Sequence, residues 1–133
     1  MTGLHTRQYG KINLYIPGTF SEIYDLLGSM MLGAPKFTDE TGVFWYRDID
    51  STFYQLTESF GIVRRKLGEE RYAALINLAA RAKALFVADP DDTNGKTDEG
   101  YKLLYEIEDL IQEARRKRVE GKQSDEEGRV TGD

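Results

Sequence analysis

The sequence predicts an all-α fold for this chain of 133 residues, and three observations carry the prediction. Apolar residues recur at helical spacing in four separate stretches. Residues that start and stop helices stand at the borders of those stretches. The stretches, 20–32, 51–67, 69–87 and 98–118, together hold 70 of the 133 residues, well above the roughly one third typical of globular proteins. Short connections favour antiparallel neighbours, so the expected architecture is a four-helix-bundle-like single domain over residues 1–118. A short N-terminal extended arm or strand would pack across it, and residues 119–133 would form a disordered acidic tail. The length matches about one domain, and 40% hydrophobic residues are enough for a single core.

The extended arm is Lys11 to Ile16. Ile12, Leu14 and Ile16 alternate with Lys11, Asn13 and Tyr15, a period of two that buries one face. Pro17 and Gly18 end it. A strand needs a partner, and Val43 to Tyr46 is the candidate.

Thr19-Phe20-Ser21-Glu22 has capping-box spacing, with Thr19 as N-cap and Glu22 three residues on. Phe20, Ile23, Tyr24, Leu27, Met30 and Met31 then share one helical face. Gly33 and Pro35 stop the helix. Asp48, Asp50 and Ser51 are N-cap candidates for the next one. Its seam is Ile49, Phe53, Leu56, Phe60, Val63 and Leu67, spaced alternately by three and four. Gly61 lies within it, costing about 1 kcal/mol against alanine, which a close-packed neighbour would explain. Gly68 ends it. Glu69 and Glu70 open the third helix at the positive end of its dipole. Tyr72, Leu75, Ala79, Ala82 and Phe86 form its stripe, and Ala73, Ala74, Ala80 and Ala84 mark a central helix with several neighbours. Residues 89–96 are turn chemistry throughout. Thr97 or Asp98 caps the last helix, whose stripe is Leu103, Leu104, Ile107, Leu110, Ile111 and Ala114.

Several chemistries are excluded. The chain has no cysteine and one histidine, so disulfides, a thiol nucleophile and Cys-ligated metal are ruled out. A Ser-His-Asp system would have to use His5, near the terminus. No phosphate-binding glycine loop is present. The acidic loop fails as an EF-hand, because with Gly95 at position 6 the first position is Pro90 and the twelfth is Tyr101. Glu106, Glu108, Asp109 and Glu113 lie beside the last apolar stripe and should face solvent, with no histidine at di-metal spacing. No catalytic residue, cofactor or metal site is therefore assigned, and the protein is read as not an enzyme. The N-terminus lacks the apolar core of a secretory signal and no stretch approaches the ~20 apolar residues that span a bilayer, so a cytoplasmic protein without a membrane partner is expected.

The net charge is −5, with the excess acid in loop 89–99 and in the tail. Two basic clusters, Arg64 to Lys66 and Arg115 to Arg118, end helices, where the dipole accounts for each. No direct nucleic-acid contact is expected. The segment Phe44-Trp45-Tyr46-Arg47 is the most informative. Four bulky residues in a row cannot all face one core, so Trp45 either plugs the open end of the bundle or anchors a partner. Trp, Tyr and Arg dominate binding hot spots. The candidate partner-binding residues are Phe44, Trp45, Tyr46, Arg47, Asp48 and Asp50. They imply a protein-binding module of the immunity-protein, antitoxin or phage-inhibitor kind, acting on a basic protein such as a toxin or a nucleic-acid enzyme. The alternative is a helical adaptor or subunit, including a homodimer; a ligand-binding bundle comes third.

Overall fold

The computed structural model of the chain describes residues 6–39, 41–43 and 45–120. It is mostly helical, with a small two-stranded sheet at the N-terminus. The order is β1 (Thr6–Tyr9), β2 (Ile12–Tyr15), α1 (Phe20–Gly33), α2 (Ile49–Ile62), α3 (Arg64–Leu67), α4 (Glu69–Val87) and α5 (Lys96–Glu120).

The arm is thus a hairpin. β2 pairs antiparallel with β1, Tyr9 opposite Ile12, around a tight turn at Gly10 and Lys11. Gly10 sits at φ 61°, a conformation that costs glycine nothing and suits the turns that match strand twist. Of the expected partner, Val43 to Tyr46, the described residues Val43, Trp45 and Tyr46 lie in turns instead. β1 went unread because Thr-Arg-Gln-Tyr is exposed along most of its length and so carries no alternation. The hairpin is held to α2: Gln55 donates to the Tyr15 carbonyl at 2.8 Å, the Tyr9 and Tyr54 rings lie 5.0 Å apart, and Arg7 faces Glu58 at 3.4 Å. Leu14 and Ile16 are buried as the alternation required, and Ile12 partly so.

Thr19 caps α1, its hydroxyl accepting from Glu22 N–H at 3.1 Å. The Glu22 carboxylate reaches Gly18 N–H at 2.9 Å and the Tyr15 hydroxyl, tying β2 to α1. Burial, with the Glu22 carboxylate second, pushes that hydroxyl up to about 12.

The helix expected over 51–67 is two. Val63, at ψ 14°, ends α2 and α3 starts afresh as a single turn. Gly61, two residues before the break, weakens the ladder there. It has no neighbour within 4 Å of where a Cβ would stand, so close packing is not what keeps it glycine. Gly68, at φ 84°, separates α3 from α4, in a backbone region that only glycine occupies freely.

α1 packs on α2 and α5, and α4 packs on α2, α3 and α5. Phe53, Leu56, Phe60, Leu75, Ala79, Phe86, Leu104, Ile107 and Ile111 are all buried in one core, as the apolar stripes require. α4 is central, yet Ala73, Ala80 and Ala84 are exposed; its alanines are not covered all round. α5 runs to Glu120, so the helical domain extends past residue 118. Residues 121–133, the rest of the expected tail, lie outside the described residues.

The glycine that packs tightly is Gly100, within α5. A Cβ there would stand 2.6 Å from Phe86 Cε1. Phe86 is fully buried and wedged against Phe37 and Tyr101. Helix propensity alone favours alanine by about 1 kcal/mol. Overpacking a dense core costs about 1–3 kcal/mol and prevails here. Gly100→Ala should therefore melt below the native protein; an equal or higher midpoint would show that the Phe86 ring yields.

Candidate functional site

α1 and α4 end, and α2 and α5 begin, at the same end of the molecule. Phe37, from the loop after α1, packs edge-on against Phe53 of α2 and Phe86 of α4, at 5.6 and 5.2 Å between ring centroids. Tyr101 of α5 meets Phe86 at 6.0 Å and donates to the Met31 carbonyl of α1 at 2.9 Å. The side chain that closes this end is therefore Phe37, 3% exposed, and not Trp45. Phe37 holds φ 60°, a conformation that costs an L-residue roughly 1–2 kcal/mol. Its burial against three helices outweighs that cost.

Trp45 is 76% exposed. Its ring meets Tyr46 edge-on at 5.8 Å, and Tyr46 is half-buried. The strand of chain that carries them is held by local bonds. The Asp39 carboxylate accepts from the Thr41 hydroxyl at 2.8 Å and from the Thr41 amide at 3.2 Å. The Ser51 hydroxyl donates to the Tyr46 carbonyl at 3.2 Å. Phe44 lies outside the described residues, as do Glu40 and His5.

The other expected site residues divide. Asp48 is the N-cap of α2: its carboxylate accepts from Ser51 N–H at 2.8 Å, while the Ser51 hydroxyl accepts from Asp48 N–H at 3.0 Å. Arg47 lines a small pocket with Leu26, Met30 and Gln55, between α1 and α2. Asp50 points to the opposite flank, where it pairs with Lys83 of α4 at 2.8 Å. There it borders a groove of about 500 Å³ lined by Tyr9, Tyr54, Ile76 and Ala80. Trp45 and Tyr46 thus stay together, Asp48 and Asp50 both lie within electrostatic reach of Tyr9, and Arg47 lies on the other side, between α1 and α2.

Three more exposed apolar residues lie at this end. Leu32, in the last turn of α1, is 90% exposed; Val43 is 70% and Val87, the last residue of α4, is 56%. They were not legible as a set, because each is an isolated apolar residue in sequence. The loops here, 34–48 and 88–95, carry six acids against Lys36 and Arg47. Lys36 links the two loops through Asp91 at 3.9 Å.

The acidic loop has an internal use for Asp89. This residue is buried, and its carboxylate accepts from the amides of Thr93 at 2.7 Å, Asn94 at 3.2 Å and Thr97 at 3.0 Å. The start of α5 is thus capped from eight residues upstream of Thr97; Thr97 and Asp98, the expected caps, lie inside the helix, which begins at Lys96. Burial raises the Asp89 carboxyl, but the amides outweigh it and hold the carboxyl below its usual value of 3.8. A depressed carboxyl stabilises the fold above its unfolded value and loses that contribution as pH falls through its folded value. Asp89→Asn should therefore lower the melting point at pH 7, and the gap from the native protein should close below about pH 3.8. A gap that stays constant from pH 7 down to pH 2.5 would contradict the assignment.

Among the described residues, Glu106, Glu108, Asp109 and Glu113 of α5 form no inward pair. Glu106 and Asp109 are exposed. Arg71, hydrogen-bonded at 3.0 Å, holds the Glu113 carboxyl low. Glu108 is raised by partial burial and then by Asp109. Among the described residues no group of three or more His, Cys, Asp or Glu is placed to hold a metal, and no helix is long and apolar enough to cross a membrane. No family model matches the chain, and no curated protein or solved structure shows significant similarity to it.

Proposed function

We propose that this protein works by binding another protein, without chemistry of its own, through the end that presents Trp45. The carrying observation is an indole 76% exposed on a loop pinned by its own hydrogen bonds. Leu32, Val43 and Val87 add apolar area at the same end. Contiguous exposed apolar area marks interaction sites. An aromatic held on a short, bonded loop loses little entropy on docking. The acid excess of the two loops favours a basic partner and speeds encounter with it. A cytoplasmic inhibitor of the immunity-protein, antitoxin or phage-inhibitor kind, directed at a basic toxin or nucleic-acid enzyme, fits these features. The helices are read here as a four-helix bundle of α1, α2, α4 and α5, with α3 an offset turn after α2. The ring of contacts, α1 to α2 to α4 to α5 and back to α1, supports it.

A second reading, a homodimer or a subunit of a larger assembly, is favoured by the uncovered Ala73, Ala80 and Ala84 of α4. The two are separated by using the native chain and Val43→Ser/Trp45→Ala as baits in the native cell, alongside light scattering of the purified protein. The inhibitor reading expects a basic protein held by the native bait and lost from the double variant. Identical captures with both baits would refute it, and a dimer mass unaffected by the double variant would favour the α4 face.

A further inference from the structure

The end of the molecule opposite Trp45 has a different character. Arg64, Arg65 and Lys66 form α3, and Arg115 to Arg118 lie near the end of α5. Forty-eight residues of chain lie between the two clusters. The fold brings them together. Arg71, in the first turn of α4, bonds Glu113 of α5 at 3.0 Å and the Leu67 carbonyl of α3 at 3.0 Å. α5 runs antiparallel to α4, so residues after Glu113 pass beyond the start of α4 and alongside α3, which they contact. Segments 64–71 and 113–120 hold eight bases against four acids, a surplus of +4 in a chain whose net charge is −5. Two ion pairs lie within this end, Glu69 with Arg64 at 2.7 Å and Glu113 with Arg71 at 3.0 Å, so two bases are engaged along with two acids, and Arg115 is buried.

The overall negative charge does not cancel this surplus. α4, 19 residues long, spans roughly 28 Å at 1.5 Å per residue, which sets the acidic loop end that far away. The Debye length at physiological salt is about 8 Å, so a ligand at one end is largely screened from the other.

We propose that this end binds the phosphate backbone of a duplex nucleic acid. Arg65, Arg116 and Lys117 are exposed and are the contacts expected. A protein partner would need an apolar centre to dock on. Here Val63 and Leu67 are buried, and no large hydrophobic side chain is exposed among the described residues of α3 or the end of α5. A single strand would need open aromatic faces to stack its bases. The nearest ring, Tyr72, is half-buried and covered by the Arg64 guanidinium at 4.2 Å. What the surface offers is positive charge, mostly arginine, whose planar fork matches phosphate, and a phosphate backbone requires little else. The binding is accordingly sequence-independent.

The test is fluorescence anisotropy of a labelled DNA duplex of about 20 base pairs with the full chain, at salt from about 50 to 200 mM. Binding should weaken with salt at a log–log slope of about −2 to −4, as for three or four phosphates. The charge-reversed triple variant Arg65→Glu/Arg116→Glu/Lys117→Glu should lose at least about tenfold in affinity. All three side chains are exposed, and an unchanged circular-dichroism melt shows that the variant is folded. Trp45→Ala, at the other end, should bind as the native chain does. No binding at the lowest salt, or native affinity in the triple variant, would overturn the proposal. Tighter binding to a single strand would overturn the duplex assignment, and displacement by polyglutamate at equal charge would assign the surface to an acidic protein.

Discussion

Phe37→Ala should cost the protein about 3–5 kcal/mol, the range for deleting a buried phenylalanine ring. Among the described residues, Phe37 is the single aromatic that touches both Phe53 and Phe86 from outside the helices. Its removal leaves a cavity bounded by those two rings, and the surrounding helices cannot close it without moving their own ends. Alanine keeps the left-handed backbone at this position, so it relieves none of the strain. Phe37→Leu refills part of the space and should recover part of the loss. Trp45→Ala is the control: an exposed side chain away from caps and core should change stability by no more than about 0.5 kcal/mol. Urea titration of the three variants settles which aromatic closes the loop end. Equal losses at Phe37 and Trp45 would return Trp45 to the core.

The second large effect is on binding. With a partner in hand, Trp45→Ala should weaken the complex by about 2 kcal/mol or more, as truncation of a hot-spot tryptophan does. That corresponds to roughly thirtyfold in Kd. The loss should appear mainly in the dissociation rate, where most interface variants act, and the melting temperature of the free protein should not move. Asp91→Lys and Asp92→Lys, in the same end's exposed loop, should instead slow association and flatten its dependence on salt. Measuring both rates by surface plasmon resonance distinguishes the anchor from the rim. An unchanged dissociation rate for Trp45→Ala would place the interface elsewhere.

Much of the scaffold could be read from sequence, and the reasons are local. The span 69–87 matches α4 residue for residue, because acids open it, a continuous stripe runs through it and Gly68 precedes it. α1 begins at Phe20, where the Thr19 spacing put it. The core stripes were legible for the same reason: a helix repeats its buried face every three to four residues, whatever it packs against. The misreadings concern partners distant in sequence or signals that one residue cannot carry. β1 has no alternation to betray it. Gly61 and Gly100 look alike in a sequence, yet only Gly100 has a ring against its Cα. Phe37 stands alone in a polar stretch, while Trp45 stands among aromatics, so local sequence marks Trp45 and gives no sign that Phe37 is the buried one.

The sequence by itself determined that the chain is helical, where α1 and α4 begin, which faces the helices bury, and that thiol chemistry is closed to it. These follow from periodicity, capping and residue inventory, which act within a few residues of chain. Tertiary structure decided which loop aromatic enters the core, that Asp89 caps a helix eight residues away, and that Arg47 and Asp50 turn to opposite flanks. It also decided that exposed apolar residues gather at one end and two basic clusters at the other. Each of these depends on how segments far apart in the chain are brought side by side. Local propensity carries no information about that arrangement, because packing one helix face satisfies the same periodicity whichever helix receives it.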